Sequence, residues 1–106
     1  MADNYVFIRD LAEQARPPAS GILSQTLHND ERTKIVLFGF AAGEELSAHA
    51  APFPAVLTFI KGEAALRLGS DEEEAAAGTY VFMNANLEHG IKAKTGLVVL
   101  LTMLKR

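Results

Sequence analysis

Three histidines carry most of the chemistry this sequence can offer. They are His28 in "TLHND", His49 at the head of "HAAPFPAVLTFIKG" and His89 in "NLEHGIK". An imidazole can ligate a transition metal, move a proton near neutral pH, or hydrogen-bond a polar ligand. After His49 only small or apolar side chains follow until Lys61. A catalytic zinc takes three protein ligands and leaves one position open. A non-haem iron of the facial-triad type takes two histidines and a carboxylate. A metal held by His49 and His89 therefore needs a third partner. Glu45 shares the parity of His49 on an extended strand, Glu88 adjoins His89 and faces the other way, and His28 lies near a turn from which it could reach the pair. Each also has an ordinary reading: a solvated loop histidine, and surface carboxylates. Two neutral imidazoles in an apolar cavity can equally hydrogen-bond an organic ligand, or act as an acid/base pair without a metal.

The elements that position these residues read as strands. "ERTKIVLFGF" is rich in β-branched and aromatic residues and runs into the glycine-bearing turn "AAGEE". "AVLTFIKGEAALRLGSDEEE" reads as three strand segments, with turns at Lys61-Gly62 and at Gly69-Ser70-Asp71. "AAGTYVFMNAN" turns at Gly78 and then extends. "LEHGIKAKTGLVVLLTMLKR" reads as one more pair of strands turning at Thr95-Gly96. Only "IRDLAEQARPP" has helical character, and Pro17 and Pro18 stop it. Short β-type runs punctuated by glycine turns predict an all-β sandwich or barrel with a short N-terminal arm.

"KIVLFGF" and "GLVVLLTML" are apolar on both parities, where a sheet with one wet face should alternate. The second apolar face needs a cover, either the N-terminal arm or a second copy of the chain. The expectation is a homodimer, with residues 35–40 and the arm at the interface. The 106 residues suit one domain overall, read as an N-terminal arm and first strands over 1–32 and a barrel over 33–106. The net charge is −3 and the basic residues are scattered, which speaks against a nucleic-acid partner. The absence of cysteine excludes disulfides, thiolate metal sites and cysteine nucleophiles. "MADNYVFIRDL" lacks the basic start and apolar run of a signal peptide, and "GLVVLLTML" is too short to span a bilayer. No membrane partner and a cytoplasmic location are expected.

Residues 43–106 resemble the cupin family, small β-barrels of jelly-roll type. Its first signature runs glycine, five residues, His, one residue, His, a short gap, Glu, six residues, Gly. Gly43, His49 and Gly62 fall in that register, with Ala51 at the second His position and Ala55 at the Glu position. Its second signature runs glycine, five residues, Pro, one residue, Gly, two residues, His. Gly78 and His89 fall in register, with Asn84 and Asn86 in place of Pro and Gly. The resemblance implies an antiparallel jelly-roll barrel of the cupin 2 or RmlC-like kind with a degenerate metal site. Of the four ligands it would supply, only His49 and His89 remain.

The resemblance also implies a pocket inside the barrel. Its expected lining is His49, His89, Ala51, Ala55, Leu57, Phe59, Phe82 and Met103, with Phe53, Tyr80 and Met83 as further candidates that core packing could equally claim. Replacing His and Glu by alanine removes charge and leaves volume, which favours a small, partly apolar organic ligand. The expected function is therefore ligand binding with no resident cofactor. The alternatives are a metal-dependent enzyme of dioxygenase, isomerase or decarboxylase type, in which His49 and His89 hold a divalent transition metal, and an inert barrel that serves as an interaction partner.

Overall fold

The computed structural model describes residues 4–105. One short helix, α1 (Leu11–Gln14), precedes nine strands: β1 (Ile22–Asn29), β2 (Thr33–Phe40), β3 (Glu45–His49), β4 (Ala55–Lys61), β5 (Glu63–Leu68), β6 (Asp71–Ala76), β7 (Tyr80–Met83), β8 (His89–Ala93) and β9 (Leu97–Leu104). Asp10 caps α1 by accepting from the backbone N–H of Ala12 and Glu13, and Pro17 and Pro18 keep the helix from continuing.

The strands form two antiparallel sheets. One has the order β1-β2-β9-β4-β7 and the other β3-β8-β5-β6. The turns expected at Gly62 and at Thr95-Gly96 are real, but each carries the chain from one sheet to the other. β8 and β9 are consecutive and do not pair. Gly69-Ser70 closes a true hairpin in which Leu68 faces Asp71. Between the sheets lies the main core, in which Phe40, Leu57, Phe59, Leu66, Ile91, Leu97 and Val99 are buried. On β4 the alternation is regular: Ala55, Leu57 and Phe59 point inward.

The second apolar face of β2 and β9 is covered from within the chain. Leu37 and Val98 are fully buried beneath Ala15, with Leu11, Leu27, Ile60 and Leu100 packed around them. The arm lies so close that a Cβ on Gly39 would sit 2.5 Å from the Ala15 carbonyl oxygen. Gly39 is therefore required by the arm and not by a turn. Within residues 35–40, Val36, Leu37, Gly39 and Phe40 are buried and Ile35 and Phe38 are partly so. The two-faced apolarity of this strand is thus explained by the arm, and no second copy is needed to cover it.

Candidate functional site

His49 and His89 face each other on neighbouring strands. β3 and β8 pair with Leu46 opposite Ile91 and His49 opposite His89, so Ser47 and Ala48 together oppose the single residue Gly90. This is a β-bulge, and it inverts the parity of β3. His49 consequently shares the face of Leu46, which packs on the core, and not that of Glu45 or Ser47. Glu45 pairs with Lys92 and is exposed, so the parity reading that put it on the side of His49 fails at the bulge. Gly90 lets the bulged segment lie close, since a Cβ there would stand 3.2 Å from both the Ala48 nitrogen and the Leu46 oxygen.

The rings lie with centroids 4.5 Å apart and planes inclined at 51°. His49 Nδ1 is 3.0 Å from the Ser47 carbonyl oxygen, and His89 Nδ1 is 2.9 Å from that of Leu87. A carbonyl only accepts, so each Nδ1 carries the proton and each neutral ring keeps its lone pair on Nε2. The two rings are held the same way, by the carbonyl two residues before. His89 is 9% exposed, whereas His49 stands exposed at the mouth and is not enclosed in the barrel.

The turn before His89 is fixed by Asn86, the only non-glycine among the described residues with positive φ, at 69°. Asparagine tolerates this left-handed geometry. Its backbone N–H donates to the Ala51 carbonyl at 2.7 Å, which ties the β7–β8 turn to the β3–β4 loop.

A cavity of about 40 Å³ opens beside the rings. His49, His89, Ala51, Ala55 and Met103 line it, together with Phe53, Met83, Asn84, Leu87 and Leu101. Leu57 and Phe59 do not reach it, being 3% and 1% exposed in the core below. Phe82 does not either. On β7, Val81 and Met83 point inward, so Tyr80 and Phe82 must point out, and they are 64% and 50% exposed. Leu87 and Leu101 were not foreseen. Leu101 was legible in principle, being two residues from Met103 on one strand. His28 is remote from the pair and bonds Asp30 through Nε2 at 2.7 Å. That hydrogen bond, with those from the backbone N–H of Thr33 and Arg32, holds the Asp30 carboxyl well below the usual carboxylate range. Glu88 is exposed, and its carbonyl accepts from the Gly69 N–H.

The cavity lining holds no Asp, Glu, Lys or Arg. Among the described residues no group of three or more His, Cys, Asp or Glu converges. The donor set is two imidazoles, with the methyl groups of Ala51 and Ala55 beside them. That set does not fit a resident divalent metal, which needs more ligands and a compensating charge in an apolar surrounding. A larger concavity of about 310 Å³ lies outside the barrel over Ala65 and Gly90, rimmed by Glu45, Arg67, Glu72 and Lys92. The paired imidazoles take no part in it.

The same architecture recurs in solved structures. A conserved protein of unknown function from Streptococcus pyogenes superposes with a TM-score of 0.88 at 24% identity, over 98% of this chain and 91% of that one. A cupin superfamily protein from Desulfitobacterium hafniense gives 0.86 at 24% identity, over 91% and 88%. An RmlC-like cupin from Shewanella frigidimarina gives 0.81 at 21% identity, over 99% and 93%. No family model matches the sequence, and no curated protein matches it. The chain has the cupin fold. No helix among the described residues is long and apolar enough to cross a membrane.

Proposed function

We propose that this cupin barrel binds a small organic molecule at the mouth between His49 and His89. One observation carries the reading: two imidazoles stand side by side, each pinned through Nδ1, above a cavity otherwise lined by apolar side chains and Asn84. Binding sites of this kind are mostly apolar with a few fixed polar groups. The cavity of about 40 Å³ encloses only one end of a ligand, and the exposed position of His49 leaves the rest at the mouth. At roughly 0.3 to 1.5 kcal/mol per ligand atom, fragments of the right shape bind in the millimolar to micromolar range. Fragment titration followed by NMR checks this. The methyl signals of Ala51, Ala55, Met83 and Met103 and the ring signals of both histidines should move together. Fragments that move only signals from other surfaces would reject the reading.

Two copies of the chain associate, in this proposal, through aromatic groups left outside the fold. Tyr80 and Phe82 project from the outer face of the five-stranded sheet, and Tyr5 and Phe7 are 75% and 67% exposed on the N-terminal segment. Monomeric proteins seldom leave large contiguous apolar patches in water. Light scattering at micromolar concentration should give the mass of a dimer, and Tyr80→Lys combined with Phe82→Glu should halve it. A monomeric native chain rules the association out.

A further inference from the structure

We infer that the cavity selects an uncharged ligand that brings two hydrogen-bond donors on one end, as adjacent hydroxyl groups on an apolar body do. The inference rests on the binding-site reading above and adds the chemical class of the ligand.

It follows from where the ring protons are. His49 Nδ1–H is spent on the Ser47 carbonyl and His89 Nδ1–H on the Leu87 carbonyl. Moving either proton to Nε2 would turn the Nδ1 lone pair against a carbonyl oxygen and lose that hydrogen bond. Each neutral ring therefore has only an acceptor to offer, and the two acceptors belong to rings 4.5 Å apart. Asn84 is the one other side chain in the lining with a hydrogen-bonding group.

Three kinds of ligand head can be compared against this arrangement. A carboxylate brings acceptors only, so its lone pairs would meet those of the rings. A cation brings donors, but its charge would enter a cavity whose lining has no carboxylate to balance it. A neutral head with two donors satisfies both lone pairs and brings no charge. The apolar body of such a ligand would lie against Phe53, Met83 and Met103.

The test uses three benzene derivatives: catechol, 1,2-dimethoxybenzene and benzoate. Catechol has two adjacent hydroxyl donors, 1,2-dimethoxybenzene has the same oxygens without the protons, and benzoate is an acceptor-only anion. Binding to the whole protein is followed by NMR at about pH 8.5, with a chelator present and under argon. Two satisfied acceptors against two unsatisfied ones should favour catechol over 1,2-dimethoxybenzene by about tenfold or more. Benzoate should be weaker than catechol by at least as much. His49→Leu, at the exposed position, should cut the preference for catechol to about threefold or less, and His89→Leu should do the same wherever its spectrum shows a folded chain. If 1,2-dimethoxybenzene or benzoate binds as tightly as catechol, the donor rule is wrong and the binding site stands. If none of the three moves the cavity signals, the binding site falls and the donor rule with it.

Discussion

Ala51→His together with Ala55→Glu should turn the cavity into one that retains about one equivalent of a divalent transition metal after a chelator wash, while the native chain retains well under one. Ala51 and Ala55 both line the cavity beside His49 and His89. The two existing imidazoles are already held by backbone carbonyls at Nδ1, which leaves Nε2 as the ligating atom. The double substitution adds a third nitrogen and one carboxylate, and the carboxylate supplies the negative charge that a buried divalent ion requires. Neither single substitution does both, so each should load less metal than the pair. Elemental analysis measures all four proteins. A folded double variant that stays empty would mean that the two methyl groups do not converge on the rings. A native chain that carries stoichiometric metal, lost in His49→Ala or His89→Ala, would replace the ligand-binding reading with that of a metal-dependent enzyme.

Strands such as β2, β4 and β9 were legible because they are short and rich in β-branched and aromatic residues, whereas β3, β5 and β6 carry little of that signal and were marked mainly by the turns beside them. Gly43, Gly62, Gly69 and Gly78 all have positive φ. What periodicity could not supply was the sheet to which each strand belongs. The chain passes Thr95-Gly96 much as it would pass a hairpin, and only three-dimensional packing shows that β8 and β9 lie in different sheets. The site was legible to a similar depth. Spacing alone relates His49 and His89 to the two signatures, but the direction of each neighbour depends on one inserted residue in β3. The bulge at Ser47-Ala48 sends Glu45 outward, and nothing in a count of alternating residues reveals it. Phe82 was misplaced for a plainer reason. The alternation on β7 had two possible phases, and Met83, not Phe82, is the residue that packs inward. The apolar second face of β2 had two possible covers, and sequence could not choose between them. The arm that lies on it through Ala15 is short and only weakly helical.

Gly62→Ala should destabilise the protein by about 3 kcal/mol or more, a large part of the roughly 5 to 15 kcal/mol that holds a typical domain folded. Gly62 joins β4 to β5 where the chain changes sheets, with φ of 90°. A Cβ there meets two obstacles. The first is the backbone conformation, which costs a non-glycine residue on the order of 1 to 3 kcal/mol. The second is contact: the added carbon would lie 2.1 Å from the Gly96 carbonyl oxygen and 3.0 Å from Thr95 Oγ1. Those atoms cannot simply withdraw. Thr95 Oγ1 accepts from the Glu63 N–H at 3.0 Å, and the Lys94 N–H donates to the Glu63 carbonyl at 2.8 Å, so the two sheet-changing bends are stitched together. Gly96 is in turn backed by Pro17, since a Cβ on it would lie 3.2 Å from the proline Cβ. Gly78 separates the two obstacles. Its φ is 96°, and a Cβ there would meet nothing within 4 Å, so Gly78→Ala should show the conformational cost alone, about 1 to 3 kcal/mol. Urea unfolding of the three proteins measures the difference directly. Gly62→Ala should unfold at a clearly lower midpoint than Gly78→Ala at similar slope. Equal midpoints would show that the Gly62 and Gly96 bends are not in close contact, and that the sheets are joined there more loosely than the 2.1 Å approach requires.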